Sequence, residues 1–244
     1  MPASQIFDTA FGRIQLVGGL SSERARPVLL AIRGLFLRPD YLEWLIDELA
    51  PEADVLLAHL PGLHTPTLTR SDVATITAGF AQALRQAAPD RDVVLTGISA
   101  GCLPALGLAR EPMVRRLVLV EPFLDVRRCW ALREFVALKA PKDSLARAWL
   151  ETYLGPGIAG DFSDLAACAP PSTVVLVGEE PLDPPRPLNA LPSLASEAER
   201  AVWRGLPGVE LAVCRDVGHD IVGAARAELL ATLRRVLAET RLAA

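Results

Sequence analysis

The stretch Val93-Val94-Leu95-Thr96-Gly97-Ile98-Ser99-Ala100-Gly101-Cys102-Leu103 passes from a β-branched apolar run, through a turn with glycine two residues either side of a serine, into a segment with helical spacing. A serine hydroxyl is a poor nucleophile at neutral pH. An enzyme that uses one must expose its oxygen beside a base and beside donors for the oxyanion that forms. A sharp strand-to-helix turn does this, and its close packing leaves no room for Cβ atoms at positions 97 and 101. The helix that follows points free N–H groups at the developing charge, with the amide of Ala100 best placed. Pro104 is tolerated because it falls in a first helical turn.

Working outward, short runs rich in Val, Leu and Ile recur at residues 27–32, 54–58, 92–96, 116–120, 173–177 and 209–214. Runs apolar on both faces are those of parallel strands covered by helices. Helical spacing lies between them at 41–49, 73–84, 103–109 and 224–237, so the alternation is βαβα. Ser71 stands as the N-cap of a helix over 72–88, which Pro89-Asp90 ends. The alternation breaks after Val120. Residues 126–160 hold two helix-like stretches with Trp130, Phe135, Trp149 and Tyr153, ending at Gly155-Pro156-Gly157, and read as an inserted cap. Its aromatic and leucine residues fit an apolar acyl pocket or burial of the cap against the body. Five prolines between 181 and 192 predict a stiff loop after the 173–177 strand.

The bulk properties fit one α/β domain over residues 1–244. Hydrophobic residues are 51% of the chain and charged ones 22%, which excludes a disordered chain. The net charge of -4 comes with scattered basic residues, so nucleic acid is not an expected partner. Cys102, Cys129, Cys168 and Cys214 form no C-x-x-C pair and read as reduced core residues. With no signal-like start and no apolar run of about 18 residues, a cytoplasmic protein without membrane insertion is expected. Three histidines without carboxylates at ligand spacing do not suggest a metal. Neither a dinucleotide motif nor a phosphate loop is present, and no cofactor is expected.

From residue 27 to the last helix the sequence resembles the α/β-hydrolase superfamily. The resemblance implies a mostly parallel, doubly wound sheet with a short helical cap. It also implies a site in the order Ser, acid, His, carried here by Ser99, the acidic cluster near 180 and Val217-Gly218-His219-Asp220. His219 is then the base, since imidazole exchanges protons near neutrality. The family places the acid shortly after a glycine ending the strand. Gly178 is followed by Glu179, Glu180 and Asp183, of which Asp183 is chosen and Glu180 is the alternative. Some members take the acid from after the preceding strand, which nominates Glu121 or Asp125. The second oxyanion donor comes from the loop after the third strand, here Arg33-Gly34-Leu35-Phe36, giving the amide of Leu35. Arg33 replaces the usual histidine and either binds an acidic group of the substrate or pairs with a surface carboxylate. His59 and His64 read as structural, with His64 a candidate on the substrate side.

The activity implied is cleavage of an ester or thioester of a small acyl substrate through an acyl-enzyme on Ser99. Carbon–carbon hydrolysis or cofactor-free peroxidation in the same fold uses the same residue set. A non-catalytic binding protein that keeps the fold is the reading from another class.

Overall fold

The computed structural model describes residues 2–188 and 190–243. Its frame is one eight-stranded sheet in the order β1-β2-β4-β3-β5-β6-β7-β8. The six expected apolar runs are β3 (Val28–Ile32), β4 (Asp54–Ala58), β5 (Val93–Ile98), β6 (Val114–Val120), β7 (Thr173–Gly178) and β8 (Val209–Cys214), and they run parallel. Every residue of β3, β4, β5 and β7 is buried, as a sheet covered on both faces requires. β8, at the sheet edge, is only partly buried.

Two strands were not expected from sequence. β1 (Ser4–Thr9) and β2 (Gly12–Gly18) form an antiparallel hairpin, and β2 adds to the sheet antiparallel to β4. Exposure alternates along β1, with Ser4, Ile6 and Asp8 outward and Gln5, Phe7 and Thr9 part-buried, so a search for continuous apolar runs passes over it.

Helices cover both faces. α2 (Val73–Ala87) and α3 (Cys102–Leu108) lie on one side, α1 (Trp44–Leu49), α7 (Ile221–Ala224) and α8 (Arg226–Ala243) on the other. α2 buries Val73, Ile76, Phe80, Ala83 and Leu84, an i, i+3, i+4 stripe. Its N-cap is Asp72 rather than Ser71, because the Asp72 carboxylate reaches the Thr75 amide at 2.8 Å. The expected 224–237 helix is split at Ala225 into α7 and α8.

Between β6 and β7 the chain makes α4 (Trp130–Lys139) and α5 (Leu145–Leu154), the two expected helices of the insertion. The proline-rich segment after β7 carries no regular element, and Asn189 within it lies outside the described residues. A further helix, α6 (Glu197–Gly205), escaped the sequence reading although Ser196 and Glu199 close a capping box on it. All four cysteines are free and buried. Among the described residues no helix is long and apolar enough to cross a membrane.

Candidate active site

At the end of β5 the backbone turns through Ser99, whose φ of 54° is left-handed, into a 3-10 turn and then α3. The flanking glycines are required by space. A Cβ at Gly97 would lie 2.7 Å from the Cα of Cys102, and one at Gly101 would lie 2.4 Å from the carbonyl oxygen of Ile32. Backbone cannot yield there, so the turn closes only without side chains at both positions. Gly34 brings the loop after β3 equally close, since a Cβ on it would lie 2.9 Å from that of Ser99. The neighbouring amide of Leu35 has no backbone partner among the described residues.

His219 stands on the loop after β8, held by its own amide, which donates to the Leu191 carbonyl at 3.0 Å. The loop packs directly on the end of β7, where a Cβ at Gly178 would meet the Gly218 carbonyl oxygen at 2.2 Å. From there Nε2 of His219 lies 2.9 Å from Oγ of Ser99. On the other side of the ring, Nδ1 lies 3.0 Å from Oε2 of Glu121. A carboxylate only accepts, so the proton sits on Nδ1 and Nε2 is free to accept from the serine hydroxyl.

Glu121 follows β6 directly and is fully buried, with φ of 54°. Its Oε1 accepts from the Gly178 amide at 2.6 Å and the Ser193 hydroxyl at 2.8 Å. Its Oε2 accepts from the Leu194 amide at 2.7 Å as well as from His219. A buried carboxylate is stabilised only when its lone pairs are met, and here four donors meet them.

The structure brings neither acid chosen from sequence to the histidine. Asp183 is exposed and makes no side-chain hydrogen bond or ion pair among the described residues. Glu180 points outward and pairs with Arg186 at 2.8 Å. The chain leaves β7 for the surface through the proline-rich segment, which carries both acids away from the histidine. β6 lies beside β5 in the sheet, so a residue at its end stands next to the nucleophile turn. Asp125, the other residue nominated there, is bound to Arg127 at 2.7 Å, and that bond lowers its pKa. The sequence carried a signal for Glu121: it ends its strand as Ser99 ends the one beside it.

The helical insertion leans on the same machinery. Tyr153 of α5, completely buried in practice at 1% exposure, donates its hydroxyl to the Ala100 carbonyl at 2.7 Å. One turn earlier the Trp149 indole donates to the Pro61 carbonyl at 2.9 Å and stacks on Tyr153 with centroids 4.9 Å apart. Phe135 of α4 meets Phe36 edge to face at 5.6 Å. These aromatic residues bury the insertion against the body, the second of the two roles foreseen for them. A groove of about 810 Å³ lies elsewhere, between α2, α3 and the end of α5, and Ser99, Glu121 and His219 do not line it.

Beside the turn at Gly34, the Arg33 side chain is buried, with Nη1 2.8 Å from Nδ1 of His59 and Nη2 donating to the Leu37 carbonyl. Burial lowers its pKa to about 10. Burial, then the charge of Arg33, lowers that of His59 to about 4 and also lowers that of His64. His59 is thus neutral at pH 7, accepting at Nδ1. The paired surface carboxylate expected as one option for Arg33 is not there: no acid lies within ion-pair reach of it among the described residues.

Comparison with known proteins agrees with this fold. The model of the alpha/beta hydrolase family matches residues 28–241. The chain belongs to that family. Among solved structures, an esterase from Thermogutta terrifontis is similar at a TM-score of 0.66 and 19% identity, covering 98% of this chain and 99% of its own. An N-acyl homoserine lactonase, AidH, gives 0.67 and 18%, with 98% of each chain covered. E-2-(acetamidomethylene)succinate hydrolase gives 0.67 and 14%, covering 96% and 98%. At such identities these likenesses show the shared hydrolase fold. No curated protein matches the sequence.

Proposed function

We propose that this member of the hydrolase family cleaves an ester or thioester through an acyl-enzyme on Ser99. The observation that carries the reading is the unbroken chain of hydrogen bonds from Ser99 through His219 to buried Glu121, at 2.9 and 3.0 Å. His219 takes the serine proton as Oγ attacks the acyl carbonyl, and Glu121 holds the ring in the required tautomer and stabilises the imidazolium. The amides of Leu35 and Ala100 receive the oxyanion, a role supported by the packing of Gly34 on Ser99 and by a Leu35 N–H with no backbone partner among the described residues. His219 then gives its proton to the leaving group, and water, activated by the same histidine, releases the acid.

Labelling with a fluorescent fluorophosphonate tests this. The wild-type protein should label rapidly, and Ser99→Ala and His219→Ala should not. A folded wild type that stays unlabelled would move the reading to a binding protein that keeps the fold without the chemistry.

A further inference from the structure

Among the described residues three arginines are deeply buried, and two of them are answered by acids. Arg91 meets Asp54 at 2.8 Å, and Arg200 lies 4.0 Å from Glu197. Arg33, the most buried of the three at 3% exposure, is met only by a neutral imidazole and a carbonyl. The acid whose charge acts on it, Asp40, is exposed and is already bound by Nε and Nη2 of Arg38, at 3.1 and 2.6 Å. Neutral hydrogen bonds satisfy N–H groups but leave the positive charge in place, and a buried charge without a counter-charge is costly to keep.

The surroundings add donors and no acid. His59, accepting from Arg33 at Nδ1, must carry its proton on Nε2. His64, exposed on the same loop after β4, has its pKa lowered by desolvation and then by the charge of Arg33. All three residues follow the carboxyl ends of β3 or β4, the edge of an open α/β sheet where ligands bind. Residue 34, next in the chain, touches Ser99. β4 stands two strands from β5, which puts the charge on the order of 10 Å from the serine.

We propose that Arg33, supported by His59 and His64, selects a substrate carrying a carboxylate at the end of its acyl chain. The carboxylate supplies the counter-charge the fold withholds, at a distance that suits a half-ester or half-thioester of a linear dicarboxylic acid. The catalytic use of that preference rests on Ser99 as nucleophile. The binding preference does not.

The experiment separates the two. In a Ser99→Ala background, calorimetry compares adipate with its uncharged counterpart adipamide. Adipate should bind at least about tenfold more tightly, the preference should shrink with added salt, and Arg33→Gln should abolish it. Arg33→Lys, which keeps the charge but loses the fork, should retain part of it and serves if the glutamine variant does not fold. Equal binding of the two ligands, no binding of either, or a preference that survives Arg33→Gln overturns the proposal. Hydrolysis of nitrophenyl hexanoate by the wild type is the separate arm. Its absence beside a clear adipate preference sinks the hydrolase reading alone, and turnover without any adipate preference sinks this one alone.

Discussion

Glu121 Oε2 lies 3.0 Å from His219 Nδ1, although 98 residues separate them and three acids stand closer in the chain to the histidine on the loop after β7. The carboxylate is fully buried and is fixed by two amides and a hydroxyl besides the imidazole. Replacing it with glutamine keeps the shape but offers an amide where the ring needs an acceptor, favouring the wrong tautomer. Glu121→Gln should lower kcat for an activated ester by on the order of 10³ to 10⁴. Asp183→Asn and Glu180→Gln, both at exposed positions, should change it by less than about threefold. Steady-state kinetics of the three variants decides between the acids, and a large loss in Asp183→Asn alone would reverse the assignment.

The glycines of the nucleophile turn give a prediction about stability. Gly101→Ala drives a methyl group to 2.4 Å from the Ile32 carbonyl oxygen and 2.7 Å from that of Arg33, both backbone atoms of β3 and its loop. The turn or the strand must shift, at a cost of about 2 kcal/mol or more. Gly205→Ala, at the end of α6 with nothing within 4 Å, should be neutral or stabilise by up to about 1 kcal/mol. Urea unfolding of the pair checks the contrast, and a Gly101→Ala protein as stable as the wild type would mean the turn has slack that the structure does not show.

Tyr153 links the helical insertion to the nucleophile turn through a single buried hydroxyl. Tyr153→Phe leaves the Ala100 carbonyl without that donor in an apolar setting and should cost about 1–3 kcal/mol. Because Ala100 is also the residue after the nucleophile, the fluorophosphonate labelling rate should fall together with Tm. A drop in Tm with an unchanged labelling rate would show that the bond steadies the insertion alone.

What could be read from the chain beforehand follows from how each feature is encoded. The parallel strands are legible because burial on both faces forces continuous apolar runs such as Val93 to Leu95, and the nucleophile turn is legible because steric exclusion at Gly97 and Gly101 leaves a local mark. Ser99 is marked by its flanking glycines, and His219 by the resemblance, which puts a histidine after the last strand. The β1–β2 hairpin is hidden because its faces differ, so its residues alternate. The choice of acid is hidden for another reason. Glu121 and Asp183 both follow strands that border the site, and only the path of the chain beyond β7, outward through its prolines, takes one of them away from the ring. Arg33 is visible in the sequence as a departure, but its lack of a carboxylate is a fact about side chains from two loops.

His59 gives the clearest dependence on pH. Its pKa in the folded protein falls from 6.5 to about 4, first because burial disfavours the charged ring and then because Arg33 stands against Nδ1. The unfolded chain therefore takes up a proton at a higher pH than the folded one does. The stability that neutral His59 contributes is whole above about pH 6.5, declines as pH falls, and is lost by about pH 4. A shift of this size corresponds to about 3 kcal/mol across that window. Carboxylates held low in the folded state, Asp54 among them, add a fall of the same sign at still lower pH, so the difference between proteins is the quantity to measure. Unfolding free energies from urea titrations at pH 7 and pH 4.5 should converge for the wild type and His59→Gln as the pH falls, because glutamine offers Arg33 an acceptor that does not titrate. Parallel pH profiles for the two proteins would show that His59 is hydrated in the folded state and that Arg33 lacks the neutral partner on which its buried charge depends.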